Sequence, residues 1–167
     1  MKVANPLSLK DIRELVRVFK QMMGLPDDGY VDIVGLLEWG LSTMGVDFQI
    51  VGKDEMKENH GETFPSLGII RIREDVYERA CNGYGRDRLT IAHEIAHLFI
   101  HQQENVAFAK ADPRMRLPAY RDPEWQADAF AGELLAPARY LQGLSLFEIE
   151  RKYGVSEKAA RVQMGRS

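Results

Sequence analysis

The chain has 167 residues, 45% of them apolar and 28% charged, with a formal net charge of −3, enough for one soluble domain whose core needs no staples. The lone Cys81 excludes an internal disulfide and a thiolate zinc cluster and fits a reducing, cytoplasmic setting. The slight acidity speaks against nucleic-acid binding driven by net charge, and no stretch has the length or continuity of a signal-peptide core or a membrane span.

In chain order, Ser8 is an N-cap for a helix to about Met23, with Leu9, Ile12, Leu15, Val16 and Phe19 as its apolar stripe. Gly24 and Pro26 end it, and Pro26-Asp27-Asp28-Gly29 is a turn. A second helix is predicted from about Asp32 to Met44, carrying Ile33, Leu36, Leu37 and Leu41, with Gly45 beyond its end. Val46 to Val51 alternates as a half-buried strand does, Gly68 to Arg73 is a second strand, and His60 to Pro65 supplies a third. Together they predict a small antiparallel sheet. Gly83-Tyr84-Gly85 breaks the chain before an apolar helix from Asp87 to about His101, and Gln102 to Arg121 reads as a loop. Asp122-Pro123 opens a helix that stops before Pro137. Ser145 to Glu148 is a capping box, Gly154 a helix end and Ser156 another cap. The expected class is α+β: a mostly helical single domain over residues 1–167 with a small antiparallel sheet, residues 138–167 forming a C-terminal helical hairpin.

The chemistry concentrates in His93-Glu94-Ile95-Ala96-His97. Residues four apart on a helix are one turn on and about 40° apart around the axis, so His93 and His97 can offer two imidazole nitrogens to one point. Zinc takes such nitrogens, and Glu94, about 100° round from His93, can serve as general base toward a water there. Flanking Leu89, Ile91, Ala92, Ile95, Ala96, Leu98, Phe99 and Ile100 make the helix apolar around much of its girth. Buried histidines in such a helix need polar partners or a metal.

A tetrahedral site with one water calls for a third protein ligand. Downstream candidates are His101, Glu104, Asp112, Asp122, Glu124, Asp128 and Glu133. His101 continues the spacing, but it starts about 12 Å along the axis from His93 and cannot converge with it on one ion. Glu124, in the first turn of the next helix, is the better candidate. Asp128, one turn on, can accept a hydrogen bond from a ligating imidazole and fix its orientation.

Thr90-Ile-Ala-His93-Glu94-Ile-Ala-His97-Leu98, followed by Glu124-x-x-Ala127-Asp128-x-Phe130-Ala131-x-x-Leu134-Leu135-x-Pro137, resembles the ImmA/IrrE metallopeptidase family. The resemblance implies a thermolysin-like, gluzincin-type site holding one zinc ion. His93, His97 and Glu124 would be the ligands, Glu94 the base and Asp128 the orienting carboxylate. Asn is commoner than Asp in the family at the position of Asp128. Tyr120, Arg121 and His101 are candidate transition-state donors by proximity in sequence. The family implies bacterial regulatory proteases of phages, mobile elements and stress circuits that cleave helix-turn-helix repressors, and therefore a protein substrate.

The cleft is expected between the zinc helix and the sheet, with Gly68 to Arg73 as the edge strand that pairs with an extended peptide. A non-catalytic, zinc-stabilised binding module of antitoxin-like or anti-repressor type is the alternative reading. The Ser145–Arg161 segment resembles a DNA-binding helix-turn-helix, yet Arg161 and Arg166 are the few cations its last helix offers, so direct DNA binding is not expected.

Overall fold

A computed structural model of the protein describes residues 2–101, 106–108 and 118–167. A short strand, β1 (Lys2–Ala4), precedes helix α1 (Leu9–Met23). Ser8 starts that helix with a reciprocal cap: its hydroxyl accepts from the Asp11 N–H at 3.1 Å, and the Asp11 carboxylate accepts from the Ser8 N–H at 2.8 Å. Gly24, at φ 68°, ends it in the left-handed region that only glycine enters cheaply. The helical run after Asp32 is continuous to Met44 but changes pitch on the way. One α turn, α2 (Ile33–Gly35), passes into a π-helical turn (Leu36–Gly40) and then a 3-10 turn (Leu41–Met44). Ile33, Leu36, Leu37 and Leu41 are all buried, as their spacing predicts.

Strand β2 (Asp47–Val51), the single turn α3 (Lys53–Met56), strand β3 (Gly61–Phe64) and strand β4 (Ile69–Arg73) follow. The sheet order is β2-β4-β3, with β2 parallel to β4 and β3 antiparallel to it. The expected antiparallel sheet is therefore mixed. Alternating side chains determine which face of a strand is buried but not which neighbour it takes. The Gly68–Arg73 segment, expected at an edge, holds the central strand, and β3 is an edge. The register sets Gly61 opposite Ile72 and Thr63 opposite Ile70. All four therefore share the sheet face that carries the fully buried Ile70 and Ile72.

Helix α4 (Glu74–Cys81), which the sequence pattern did not disclose, leads into α5 (Gly85–Ile100). Strand β5 (Val106–Phe108) pairs antiparallel with β1, so the expected loop after α5 contains a strand. Helix α6 (Pro123–Leu135) begins at Asp122, which caps it, with Pro123 in its first turn. Helix α5 lies at the centre, packed against α4, α6 and the inner face of the sheet. Phe19, Phe99 and Phe130, from α1, α5 and α6, meet edge-on or tilted with ring centroids 5.1–5.7 Å apart.

The last two helices are α7 (Leu146–Tyr153), capped by Ser145, and α8 (Glu157–Met164), capped by Ser156. Gly154, at φ 63°, turns the chain between them. Ile149, Tyr153 and Ala160 are fully buried in the same core as α5 and α6. Arg88 of α5 is buried beneath this hairpin, donating to the Gly154 carbonyl at 2.9 Å and the Tyr153 carbonyl at 3.2 Å while lying 4.1 Å from the centre of the Tyr30 ring. Among the described residues no helix is long and apolar enough to cross a membrane.

Candidate metal centre and cleft

One turn of α5 separates His93 from His97, and the first turn of α6 carries Glu124 across from them. The ligand atoms of these three residues lie within 4.8 Å of one another. His93 Nε2 is 3.0 Å from His97 Nε2 and 2.9 Å from Glu124 Oε2, and His97 Nε2 is 3.1 Å from Glu124 Oε1. Two imidazole nitrogens aimed at each other repel unless a proton or a cation lies between them. This donor set, two nitrogens and a carboxylate, suits a divalent metal of the zinc type.

The electrostatics run the same way. Hydrogen bonding to His93 is the largest influence on the Glu124 carboxyl and holds it well below the usual range. Burial is the strongest influence on His93 and disfavours its cation, but hydrogen bonds to Asp128 and Glu124 outweigh it and push its pKa up to about 10. The negative potential that holds a proton there is the potential a metal cation would meet. Asp128 lies one turn beyond Glu124 and its Oδ1 is 2.7 Å from His93 Nδ1. Accepting that N–H leaves Nε2 as the nitrogen turned toward Glu124.

Glu94 points elsewhere, toward the sheet. Thr63 Oγ1 lies 2.8 Å from Glu94 Oε1 and 3.0 Å from its main-chain oxygen, so the hydroxyl proton is held in common by the carboxylate and the helix. Gly61, two residues earlier on the same face of β3, leaves room for the side chain: a Cβ there would stand 2.7 Å from Glu94 Cγ. Burial raises the Glu94 pKa, against the lowering effects of His93 and the Thr63 hydrogen bond. A carboxylate of raised basicity beside a metal-ligand cluster is suited to taking and returning a proton.

The other candidates fall in different places. Asp122 accepts from the Glu124 N–H at 2.9 Å and so fixes the first turn of α6. Glu133 is buried away from the centre, facing Gln163 and Arg13. Glu104 and Asp112 lie outside the described residues. Tyr120 and Arg121 occupy an exposed 3-10 turn before α6 and do not line the cleft. His101 is not in the cleft either. It is buried behind His97, with Nδ1 2.8 Å from His97 Nδ1 and Nε2 2.7 Å from Gln126 Oε1. Burial, the main cause, pushes its pKa down to about 4. Sequence reasoning missed Thr63, Gly61 and Gln126. Their roles depend on the pairing of β3 and on contacts across long stretches of chain, which no local spacing records.

An open cleft of about 880 Å³ runs over the centre. His60 and Gly61 of the sheet side, Leu89 and Trp125 of the two central helices, and Ala159 and Val162 of α8 contribute to its walls. The C-terminal hairpin therefore forms part of the site. Thr90, on the cleft side of α5, turns its hydroxyl back to the Arg86 carbonyl at 3.2 Å.

Comparison with curated proteins gives no significant match. The family model described as the IrrE N-terminal-like domain, Peptidase M78, matches residues 48–164, from β2 through the sheet, both central helices and the hairpin into α8. With its paired histidines and facing carboxylate inside that matched span, the chain belongs to the IrrE N-terminal-like family of metallopeptidases.

Proposed function

We propose that the protein is a zinc-dependent endopeptidase of regulatory type whose substrate is a helix-turn-helix transcriptional repressor of a phage, mobile element or stress circuit. The observation that carries the enzymatic part is the meeting of the His93, His97 and Glu124 ligand atoms next to a buried carboxylate, Glu94, that is no part of that set. A metal that only stabilised the fold would have no use for Glu94 or for the Thr63 hydroxyl that steadies it. The regulatory part is our reading of the likeness to regulatory proteases that the two sequence blocks carry, and membership of a metallopeptidase family is consistent with it.

His93, His97 and Glu124 would hold the zinc. When bound, zinc polarises a carbonyl and lowers the pKa of water toward about 7. Glu94 takes the proton of the attacking water and later passes it to the leaving amine, and the basicity that burial gives it favours the first of these transfers. Thr63 holds that carboxylate from the sheet side, at the wall of the cleft. Asp128 holds the His93 ring by its Nδ1–H. Strand β3, at the edge of the sheet among the described residues, would pair with an extended segment of the substrate, giving main-chain affinity with little demand on sequence.

Glu94→Gln keeps the shape of the side chain and removes the base. We expect zinc content to be unchanged and repressor cleavage to fall by at least about 10²-fold. Incubation of wild-type protein with a co-encoded repressor, with and without a chelator, followed by mass spectrometry of the products, tests the reading directly. Cleavage that survives in Glu94→Gln, or a repressor bound but never cut by the zinc-loaded wild type, overturns it.

A further inference from the structure

The Gln126 amide lies between two kinds of neighbour. Its Nε2 is 2.8 Å from the Asn5 carbonyl and 2.8 Å from the Tyr120 carbonyl. Its Oε1 is 2.7 Å from His101 Nε2. Main-chain carbonyls only accept, so the amide can take just one orientation: turned over, its oxygen would face two other oxygens at contact distance. Gln126 is fully buried, so no solvent can substitute for either set of bonds. The oxygen thus faces His101 Nε2, which must be the protonated nitrogen of that ring.

The direction of the next bond follows. His101 is 5% exposed and neutral imidazole carries one proton, so its Nδ1 is a bare acceptor. That Nδ1 lies 2.8 Å from His97 Nδ1, which therefore donates. His97 is left with its proton on Nδ1 and its lone pair on Nε2, the nitrogen 3.1 Å from Glu124 Oε1 and 3.0 Å from His93 Nε2.

We infer that His101 and Gln126 are positioning residues: a hydrogen-bond chain anchored on the Asn5 and Tyr120 carbonyls runs through them and fixes His97 in the tautomer whose Nε2 can ligate a metal. The inference rests on the metal-centre reading above and assigns His101 a place behind the ligand shell. His93 and His97 are then oriented by different means, His93 by a carboxylate on the next helix and His97 by a neutral imidazole one turn further along its own.

The test begins with metal-free, 15N-histidine-labelled wild-type protein, in which the ring nitrogen shifts report the tautomer of each histidine. We expect His97 to carry its proton on Nδ1 and His101 on Nε2. Gln126→Met removes the oxygen acceptor at similar size. It should leave His97 as a mixture of tautomers and weaken zinc, in competition with a chromophoric chelator, by about 10- to 100-fold. Gln126→Glu retains an acceptor for His101 while giving up the donors to Asn5 and Tyr120. It should cost stability in a thermal melt yet hold the His97 tautomer and keep zinc affinity closer to wild type than Gln126→Met does. A wild-type His97 protonated on Nε2, or a Gln126→Met protein with wild-type tautomer and zinc affinity, overturns the inference. His97→Ala separates the two readings: undiminished zinc affinity in that variant removes the metal centre itself, whereas the tautomers of the metal-free protein judge the chain of bonds on their own.

Discussion

Glu94 and His97 are three residues apart on one helix, yet their surroundings assign them opposite work. Glu94 meets a threonine hydroxyl and the backbone of β3, and burial raises its basicity. His97 is held from behind by a second imidazole. Gly61 is the residue on which the first arrangement turns. Gly61→Ala would bring a Cβ to 2.7 Å from Glu94 Cγ and 3.2 Å from Cδ, displacing the carboxylate from its Thr63 partner without touching the metal ligands. We expect kcat to fall by about 10- to 100-fold at unchanged zinc content, measured by peptide cleavage alongside metal analysis. At this scale the sequence was informative where function and local spacing coincide. The four-residue interval in α5 fixes the relation of His93 to His97, and the capped start of α6 identifies Glu124 and Asp128. It was silent on Gln126, which reads locally as one polar residue in an apolar helix and takes its meaning from Asn5, 121 positions earlier.

Among the elements, caps were the most legible feature. Ser8, Asp122, Ser145 and Ser156 each begin a helix where their side chains predict it, because a cap is satisfied within three residues. Strand partners were not legible, since β2 and β4 pair in parallel across an intervening turn and strand. That pairing moves the edge of the sheet from β4 to β3 and so moves the expected peptide-binding strand to the one that touches Glu94. The contact between α5 and the hairpin is equally non-local. Gly85, the first residue of α5, lies so close to the hairpin that a Cβ would fall 2.4 Å from the Val155 carbonyl carbon and 2.5 Å from the Ser156 nitrogen. Backbone cannot yield as a side chain does. Gly85→Ala should therefore destabilise the protein by about 1–3 kcal/mol, read from chemical denaturation, and should widen the α8 wall of the cleft.

For the molecule as a whole, the core is continuous from α1 to α8, and some of its stability depends on charge placed inside it. Lys20 is 3% exposed and donates to the Asp27 carbonyl at 2.9 Å. Burial lowers its pKa from the ordinary 10.5, with Asp27 and Asp28 acting in the opposite sense. Between the lowered value and 10.5 the unfolded chain binds more protons at this site than the folded one, so stability rises with pH across that alkaline window. Below the window both states carry the charge and the desolvation penalty is fully present. Denaturation curves of wild type and Lys20→Met at neutral and alkaline pH should show the wild type gaining on the variant as pH climbs; a constant difference would contradict this. The same continuity reaches the amino end of the chain. Gln126 grips the Asn5 carbonyl, and the Tyr120 carbonyl accepts from both Gln126 and the Leu7 N–H. Asn5 and Leu7 thus brace Gln126 and the turn before α6 that lie behind His101. Clipping residues 1–6, or straining them with a bulky fusion, should slacken His97 from a distance and make zinc-loaded protein shed the metal more readily on dialysis, while Glu94 stays where Thr63 of β3 holds it.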